Sequence, residues 1–203
     1  MSDIKKIGIL GGTFNPIHMG HLILAEHAYS EFGLDEIMLI PTGVSYFKDP
    51  RVVLDKNIRL EMAREAVKNN EHFTVSTIET SREGNTYTYE TLETLKGANP
   101  GHIYYFIIGA DTLFQIENWR RPDIVFANAI ILCAVREGQS LEELRGKAEE
   151  LINKFNADIK ILECPYIDIS STDIRKRISE GKSVRYMITD TTLEYIEKNG
   201  LYK

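Results

Sequence analysis

Six short apolar runs punctuate the chain: Ile4–Leu10, Glu36–Ile40, Phe73–Ile78, Ile103–Ile108, Ala129–Val135 and Ile159–Leu162. Their length and residue types predict strands. The central runs lack polar alternation, as strands covered on both faces do. Segments of helical period lie between them. Leu22, Ala25, Tyr29 and Phe32 would share one face, and Ile58, Met62 and Ala66 another. Leu141, Leu144, Ala148, Leu151 and Phe155 form the clearest stripe. Strands that alternate with helices imply right-handed crossovers and a parallel sheet.

The fold class expected is therefore α/β, a Rossmann-like doubly wound parallel sheet. In such sheets ligands bind at the carboxyl ends of strands. There is no internal repeat or low-complexity tract, and 203 residues at 43% hydrophobic content suffice for one good core. We expect a single domain over residues 1–203, with 165–203 as a small C-terminal helical part. No apolar run is long enough to span a bilayer. Met1-Ser2-Asp3 leads straight into a strand, so no signal peptide and a cytoplasmic location are expected. Cys133 and Cys164 sit in or beside apolar stretches and read as reduced core residues without zinc spacing.

The net charge of −6 argues against nucleic acid as a partner. A chain this acidic that handles a polyphosphate must concentrate positive charge locally. The candidates are Lys48, Arg51, Arg136, Arg175, Lys176 and Arg177.

The segment that most narrows the chemistry is Gly11-Gly12-Thr13-Phe14-Asn15-Pro16-Ile17-His18-Met19-Gly20-His21. It joins the first strand to a helix. Glycines let backbone N–H groups come close to an anion, and a helix N-terminus offers unpaired donors. Gly11, Gly12, Thr13 and Phe14 would line the turn, and His18 and His21 would reach the same phosphates. The spacing matches neither G-x-x-x-x-G-K-[ST] nor G-x-G-x-x-G. His27, His72 and His102 belong to no motif and read as structural or surface residues.

Ser170-Ser171-Thr172-Asp173 has the form of a capping box. Ser170 would cap a helix whose first N–H groups, at Ser171 and Thr172, stay free. Asp173 would fold back on the cap, and Arg175 would lie in the first turn and point at phosphates. Gly109-Ala110-Asp111 closes another strand. Asp111 either accepts from ribose hydroxyls or caps a helix. Trp119 either packs in the core or offers its indole face to a cationic ring.

The first segment resembles the signature of the H-x-G-H nucleotidyltransferases, and Ile169-Ser170-Ser171-Thr172-Asp173-Ile174-Arg175 resembles their I-S-S-T-x-x-R motif. Nearly end to end, the chain is similar to the nicotinate-nucleotide adenylyltransferase family. Gly109 to Trp119 looks like its G-A-D…W stretch, and Thr86-Tyr87-Thr88-Tyr89-Glu90-Thr91-Leu92 like its S-Y-T-x-D-T-L stretch. Arg59-Leu60-Glu61-Met62 and the segment from Tyr195-Ile196 to Gly200-Leu201-Tyr202 also match. The resemblance implies transfer of AMP from ATP to nicotinate mononucleotide. Mg²⁺ would come bound to ATP, with no metal held by the protein itself. His18, His21, Lys48, Ser171, Thr172 and Arg175 would contact ATP phosphates, and Gly109 and Asp111 ribose. Tyr87, Thr88, Trp119 and the backbone at Arg120 would hold the nicotinate part. A homo-oligomer is compatible with the sequence.

One departure stands out. Where the family has Pro-Pro-His before Lys or Arg, this chain reads Ser45-Tyr46-Phe47-Lys48. The lysine is kept, on a stretch from Gly43 to Pro50 expected to close over substrate. Other readings fit less well. Phosphopantetheine adenylyltransferases are shorter and lack the Asp111–Trp119 and Thr86–Leu92 stretches. A class I aminoacyl-tRNA synthetase would need K-M-S-K-S. A silent nucleotide sensor would have lost a phosphate ligand. Nicotinamide mononucleotide stays open as the acceptor. A last helix is expected near Thr189-Asp190-Thr191, with Asp190 as its cap.

Overall fold

The computed structural model describes residues 4–44, 53–135, 140–165 and 167–203. Lys48, Arg51, Arg136 and the Ser45-Tyr46-Phe47 departure lie outside the described residues. The strands are β1 (Lys6–Gly12), β2 (Glu36–Pro41), β3 (Phe73–Val75), β4 (Ile103–Gly109), β5 (Ile130–Val135) and β6 (Ile159–Glu163). They form one sheet in the order β3-β2-β1-β4-β5-β6, and the pairs β1–β4, β4–β5 and β5–β6 are parallel. This is the expected Rossmann-like order. The helices are α1 (Met19–Phe32), α2 (Lys56–Val67), α3 (Thr88–Ala98), α4 (Ala110–Leu113), α5 (Pro122–Asn128), α6 (Leu141–Phe155), α7 (Ser171–Ser179) and α8 (Asp190–Lys198). A short 3₁₀ turn, Ile116–Asn118, stands between α4 and α5.

β3 is shorter than the apolar run that predicts it. Ser76 still donates its N–H to the Leu39 carbonyl, but its Oγ accepts the N–H of Ile78 at 3.2 Å. That local bond turns the chain out of the ladder.

The chain divides into two compact units. The first comprises Met1–Leu10, Leu24–Ile37 and Tyr87–Tyr166. Its β4 buries five residues in succession, Tyr104 to Ile108, and β5 buries four, Ile131 to Ala134. Burial without alternation means cover on both faces. α6 buries Leu144, Ala148 and Leu151 as its stripe predicts, while Leu141, next to the Ser140 cap, is exposed. Glu117 receives Lys147 at 2.6 Å and Lys154 at 2.9 Å, and these two lysines hold its carboxyl well below the usual range. Of the face expected on α1, Ala25 is fully buried and Leu22, Tyr29 and Phe32 are half-buried; Ala28 is the other fully buried position. The small alanines, not the large side chains, mark its closest approach. Cys133 is buried in β5, and Cys164 is half-buried.

The second unit comprises Gly11–Ile23, Met38–Thr86 and Ile167–Lys203. Met62 packs with Ile174, Val184, Ile188 and Ile196, which joins α2 to α7 and α8. On α2 the buried residues are Arg59, Leu60, Met62, Ala63 and Val67, so the face is rotated from the expected Ile58, Met62 and Ala66. α8 is capped by Thr189, whose Oγ1 accepts the N–H of Thr192 at 3.2 Å. Asp190, expected as the cap, is instead the first helical residue and reaches Arg185. Among the described residues, no helix is long and apolar enough to cross a membrane.

Candidate active site

In the second unit, β1 runs out at Gly12 and the chain turns through Phe14, whose φ is 48° and whose ring is buried. A Cβ on Gly12 would stand 2.7 Å from the Phe14 ring. The glycine is therefore required by packing as well as by any ligand. The edge of Phe14 meets His21, with ring centroids 5.1 Å apart and planes at 87°.

α1 begins after His18, whose carbonyl accepts the N–H groups of His21 and Leu22. The N–H of Met19 is satisfied by the Met187 carbonyl at 2.8 Å. The N–H of His18 donates to Nδ1 of His21 at 3.2 Å. His21 thus makes the return bond that a glutamate makes in a capping box. The consequence is chemical. With Nδ1 used as an acceptor, a neutral imidazole carries its proton on Nε2.

His18 is 8% exposed, and its ring centroid lies 3.7 Å from that of His21, with the planes tilted by 31°. Burial lowers its pKa from 6.5 to about 4, so it is neutral at physiological pH. Its Nδ1 is buried without a hydrogen-bond partner among the described residues. Buried polar atoms are normally paired, so an unpaired one in a helix-start turn suits a ligand. The intervening glycine has a clear steric reason. A Cβ on Gly20 would lie 3.1 Å from His18 Nδ1 and 3.2 Å from its Cε1.

α7 brings the second motif to the same turn. Ser170 caps it as expected, with Oγ accepting from the N–H of Asp173 at 3.1 Å. The return bond from Asp173 to the Ser170 N–H is absent among the described residues, so the expected fold-back is corrected to an exposed carboxylate. An aspartate is one methylene shorter than the glutamate of a capping box. Ser171 Oγ donates to the Pro16 carbonyl at 2.8 Å. Arg175 donates from Nη1 to the Asn15 carbonyl at 2.9 Å and from Nη2 to Thr172 Oγ1 at 3.3 Å. It stands just past the first turn rather than within it. The guanidinium has five donors, so two such bonds leave capacity for an anion.

A residue to which the sequence assigned no role holds this corner. Arg59 is 2% exposed. Its guanidinium donates to the carbonyls of Leu54 (2.9 Å), Thr13 (2.7 Å), Thr42 (2.7 Å) and Gly43 (2.8 Å). One side chain thus ties the turn after β1, the turn after β2 and the start of α2. In the sequence it shows as an arginine inside a helical pattern, within the stretch Arg59-Leu60-Glu61-Met62 that resembles the family.

In the first unit, Tyr87 is the N-cap of α3 and Thr88 its first residue. The Arg120 guanidinium lies 4.8 Å from the centre of the Tyr87 ring, close enough for a cation–π contact. The side chain of Arg120, not only its backbone, therefore belongs to this corner. Trp119 is half-buried and meets Phe106 edge to face, with centroids 6.2 Å apart. Gly109 is the N-cap of α4, and Asp111 lies in the first turn, exposed. The reading of Asp111 as a cap is thereby excluded.

The family model described as cytidylyltransferase-like matches residues 9–177, from the first strand to just beyond Arg175. A probable nicotinate-nucleotide adenylyltransferase of Lachnoclostridium phytofermentans is 42% identical over 199 residues, covering 98% of this chain and all of the relative. One from Desulfitobacterium hafniense Y51 is 42% identical over 203 residues, covering 98% of this chain and 96% of the relative. The chain belongs to the nicotinate-nucleotide adenylyltransferase family. A solved structure of the nicotinic acid mononucleotide adenylyltransferase of Plasmodium falciparum, complexed with NaAD, aligns with a TM-score of 0.78. It covers 98% of this chain and 97% of that one at 22% identity, and so bears on the fold alone.

For this member of the adenylyltransferase family, the second unit gathers Phe14, His18, His21, Ser171, Thr172 and Arg175 around one turn. The first unit gathers Tyr87, Thr88, Trp119 and Arg120 beside α3 and the 3₁₀ turn. Among the described residues, no group of three or more His, Cys, Asp or Glu is placed to hold a metal ion.

Proposed function

We propose that this chain transfers AMP from ATP to nicotinate mononucleotide, giving deamido-NAD and pyrophosphate. The acceptor's phosphate oxygen attacks the α-phosphorus, and the bond to the β-phosphate breaks. A phosphate monoester is mostly dianionic at neutral pH, its second pKa being about 6, so no general base is needed. Catalysis then rests on alignment and on donors aimed at growing charge. The observation that carries this reading is the histidine pair: a neutral, buried His18 whose Nδ1 has no hydrogen-bond partner among the described residues, with its ring 3.7 Å from that of His21, whose Nδ1 accepts the His18 N–H.

In this reading, Gly11, Gly12, Thr13 and Phe14 shape the turn, and the N–H groups of Ser171 and Thr172 meet phosphate oxygens. Arg175 and Lys48 supply positive charge. Mg²⁺ would come bound with ATP and would supply positive charge to its phosphates. Gly109 and Asp111 take ribose hydroxyls. Tyr87, Thr88, Trp119 and Arg120 take the pyridinium ring and its carboxylate. The protein acts in the cytoplasm as one domain.

The test is pyrophosphate release with ATP, Mg²⁺ and either nicotinate or nicotinamide mononucleotide. A buried donor left facing an amide NH₂ costs about 1–3 kcal/mol, roughly fivefold to over a hundredfold, and we expect nicotinate to be preferred at least about tenfold in kcat/KM. Equal values would overturn the acceptor assignment, and no release with either would overturn adenylyl transfer.

A further inference from the structure

We infer that Tyr202 is a positioning residue for the turn that carries His18 and His21, acting through Asn15. The inference rests on the reading of that turn as the phosphate site of ATP. Asn15 is 3% exposed and lies between the left-handed Phe14 and Pro16. Its Oδ1 accepts from the Tyr202 hydroxyl at 2.8 Å and from the Leu54 N–H at 3.4 Å. Its carbonyl accepts from Arg175, and the next carbonyl, that of Pro16, accepts from Ser171. Two backbone carbonyls are thus fixed by α7, and the side chain between them is fixed by Tyr202.

The position of Tyr202 is itself imposed by the backbone. α8 ends in a Schellman motif: the N–H of Leu201 reaches the Ile196 carbonyl at 3.0 Å, and that of Gly200 reaches the Glu197 carbonyl at 3.2 Å. Gly200 takes the left-handed conformation that this motif requires, with φ 60°. The chain reverses, and Tyr202 packs its ring against the Met62–Ile174–Ile196 cluster. Its hydroxyl lies 3.8 Å from Met62 Sδ, a weak acceptor, and Asn15 is the strong one. Burial raises the phenol pKa, against the pull of nearby Arg175 and Arg59, so the hydroxyl stays a donor at working pH.

Tyr202→Phe separates packing from positioning, because the ring stays and only the donor goes. We expect kcat to fall about tenfold, with the KM for nicotinate mononucleotide within twofold and the melting temperature nearly unchanged. In an Asn15→Ala background, the same substitution should cost less than twofold more. The ligand-free protein gives a readout independent of turnover. The imidazole NMR signals of His18 and His21 should shift in Tyr202→Phe, while those of His72 and His102 stay in place. Unmoved His18 and His21 signals, parental kcat in Tyr202→Phe, independent losses in the double variant, or a loss that tracks unfolding would each overturn the inference. An inactive parent would refute the transferase reading instead, and the NMR comparison would still decide the positioning role.

Discussion

Replacing His18 with asparagine should remove an acid-labile element of the protein's stability. Burial lowers the imidazole pKa from 6.5 to about 4, and the side chain is only 8% exposed, so solvent screening takes little from the effect. Above pH 6.5 the ring is neutral in folded and unfolded chains alike, and its titration contributes nothing. Between pH 6.5 and 4 the unfolded chain binds a proton that the folded chain refuses, so stability falls as pH falls. The loss is complete below pH 4. At about 1.4 kcal/mol for each pH unit of separation, the ceiling is about 3 kcal/mol. Urea unfolding of the parent and of His18→Asn, each at pH 7 and pH 4.5, isolates this contribution, because the other titrating groups are common to both. The parent should lose about 2 kcal/mol more than the variant over that interval. Equal acid losses would mean that His18 is not held neutral by burial, and would remove the basis for treating it as a neutral donor.

Three further substitutions test other parts of the structure. Gly20→Ala places a methyl group 3.1 Å from His18 Nδ1 and should lower kcat about tenfold with little change in melting temperature; turnover within twofold of the parent would show that the imidazole has room to spare. Arg59→Met leaves four backbone carbonyls without their charged donor and should destabilise by about 3–5 kcal/mol in urea unfolding; a cost below about 1 kcal/mol would refute its role as a strut. Trp119→Ala should reduce kcat/KM about tenfold for both mononucleotides and preserve their ratio; a collapsed ratio would mean that the indole orients the carboxylate donors.

Hydrophobic patterning made the central strands legible because β1, β4 and β5 each carry a continuous buried run, and β4 and β5 are covered on both faces. It misplaced the helix faces where small residues make the contact, as Ala25 and Ala28 do on α1, or where a charged residue is buried, as Arg59 is on α2. α3 carries a buried Thr91 beside Leu92 and Leu95, so its apolar stripe is too narrow to stand out. At the site, the turn glycines, both histidines and the Ser170 cap could be read directly, because their roles are local. The bonds of Arg59 to Thr13 and of Tyr202 to Asn15 span 46 and 187 positions, and no window of sequence displays such a pairing. The difference between a capping box and a half-formed one at Asp173 came down to a single methylene.

The bonds of Ser171 and Arg175 to the turn after β1 also bear on how the molecule is made. They join positions 155 and 160 apart, and the unit that contains them is assembled from residues 11–23, 38–86 and 167–203. A chain leaving the ribosome presents its N-terminal residues first, at about 5–20 residues per second. The segment from Gly11 to His21 therefore waits, without its clamps, through the synthesis of the 155–160 positions that separate it from them. Loop-closure entropy opposes such distant contacts until the partners exist. A nascent chain can order the β4–β5–β6 strands well before α7 is made, so the turn after β1 would gain its clamps, and with them its nucleotide-binding geometry, only after that sheet half is in place.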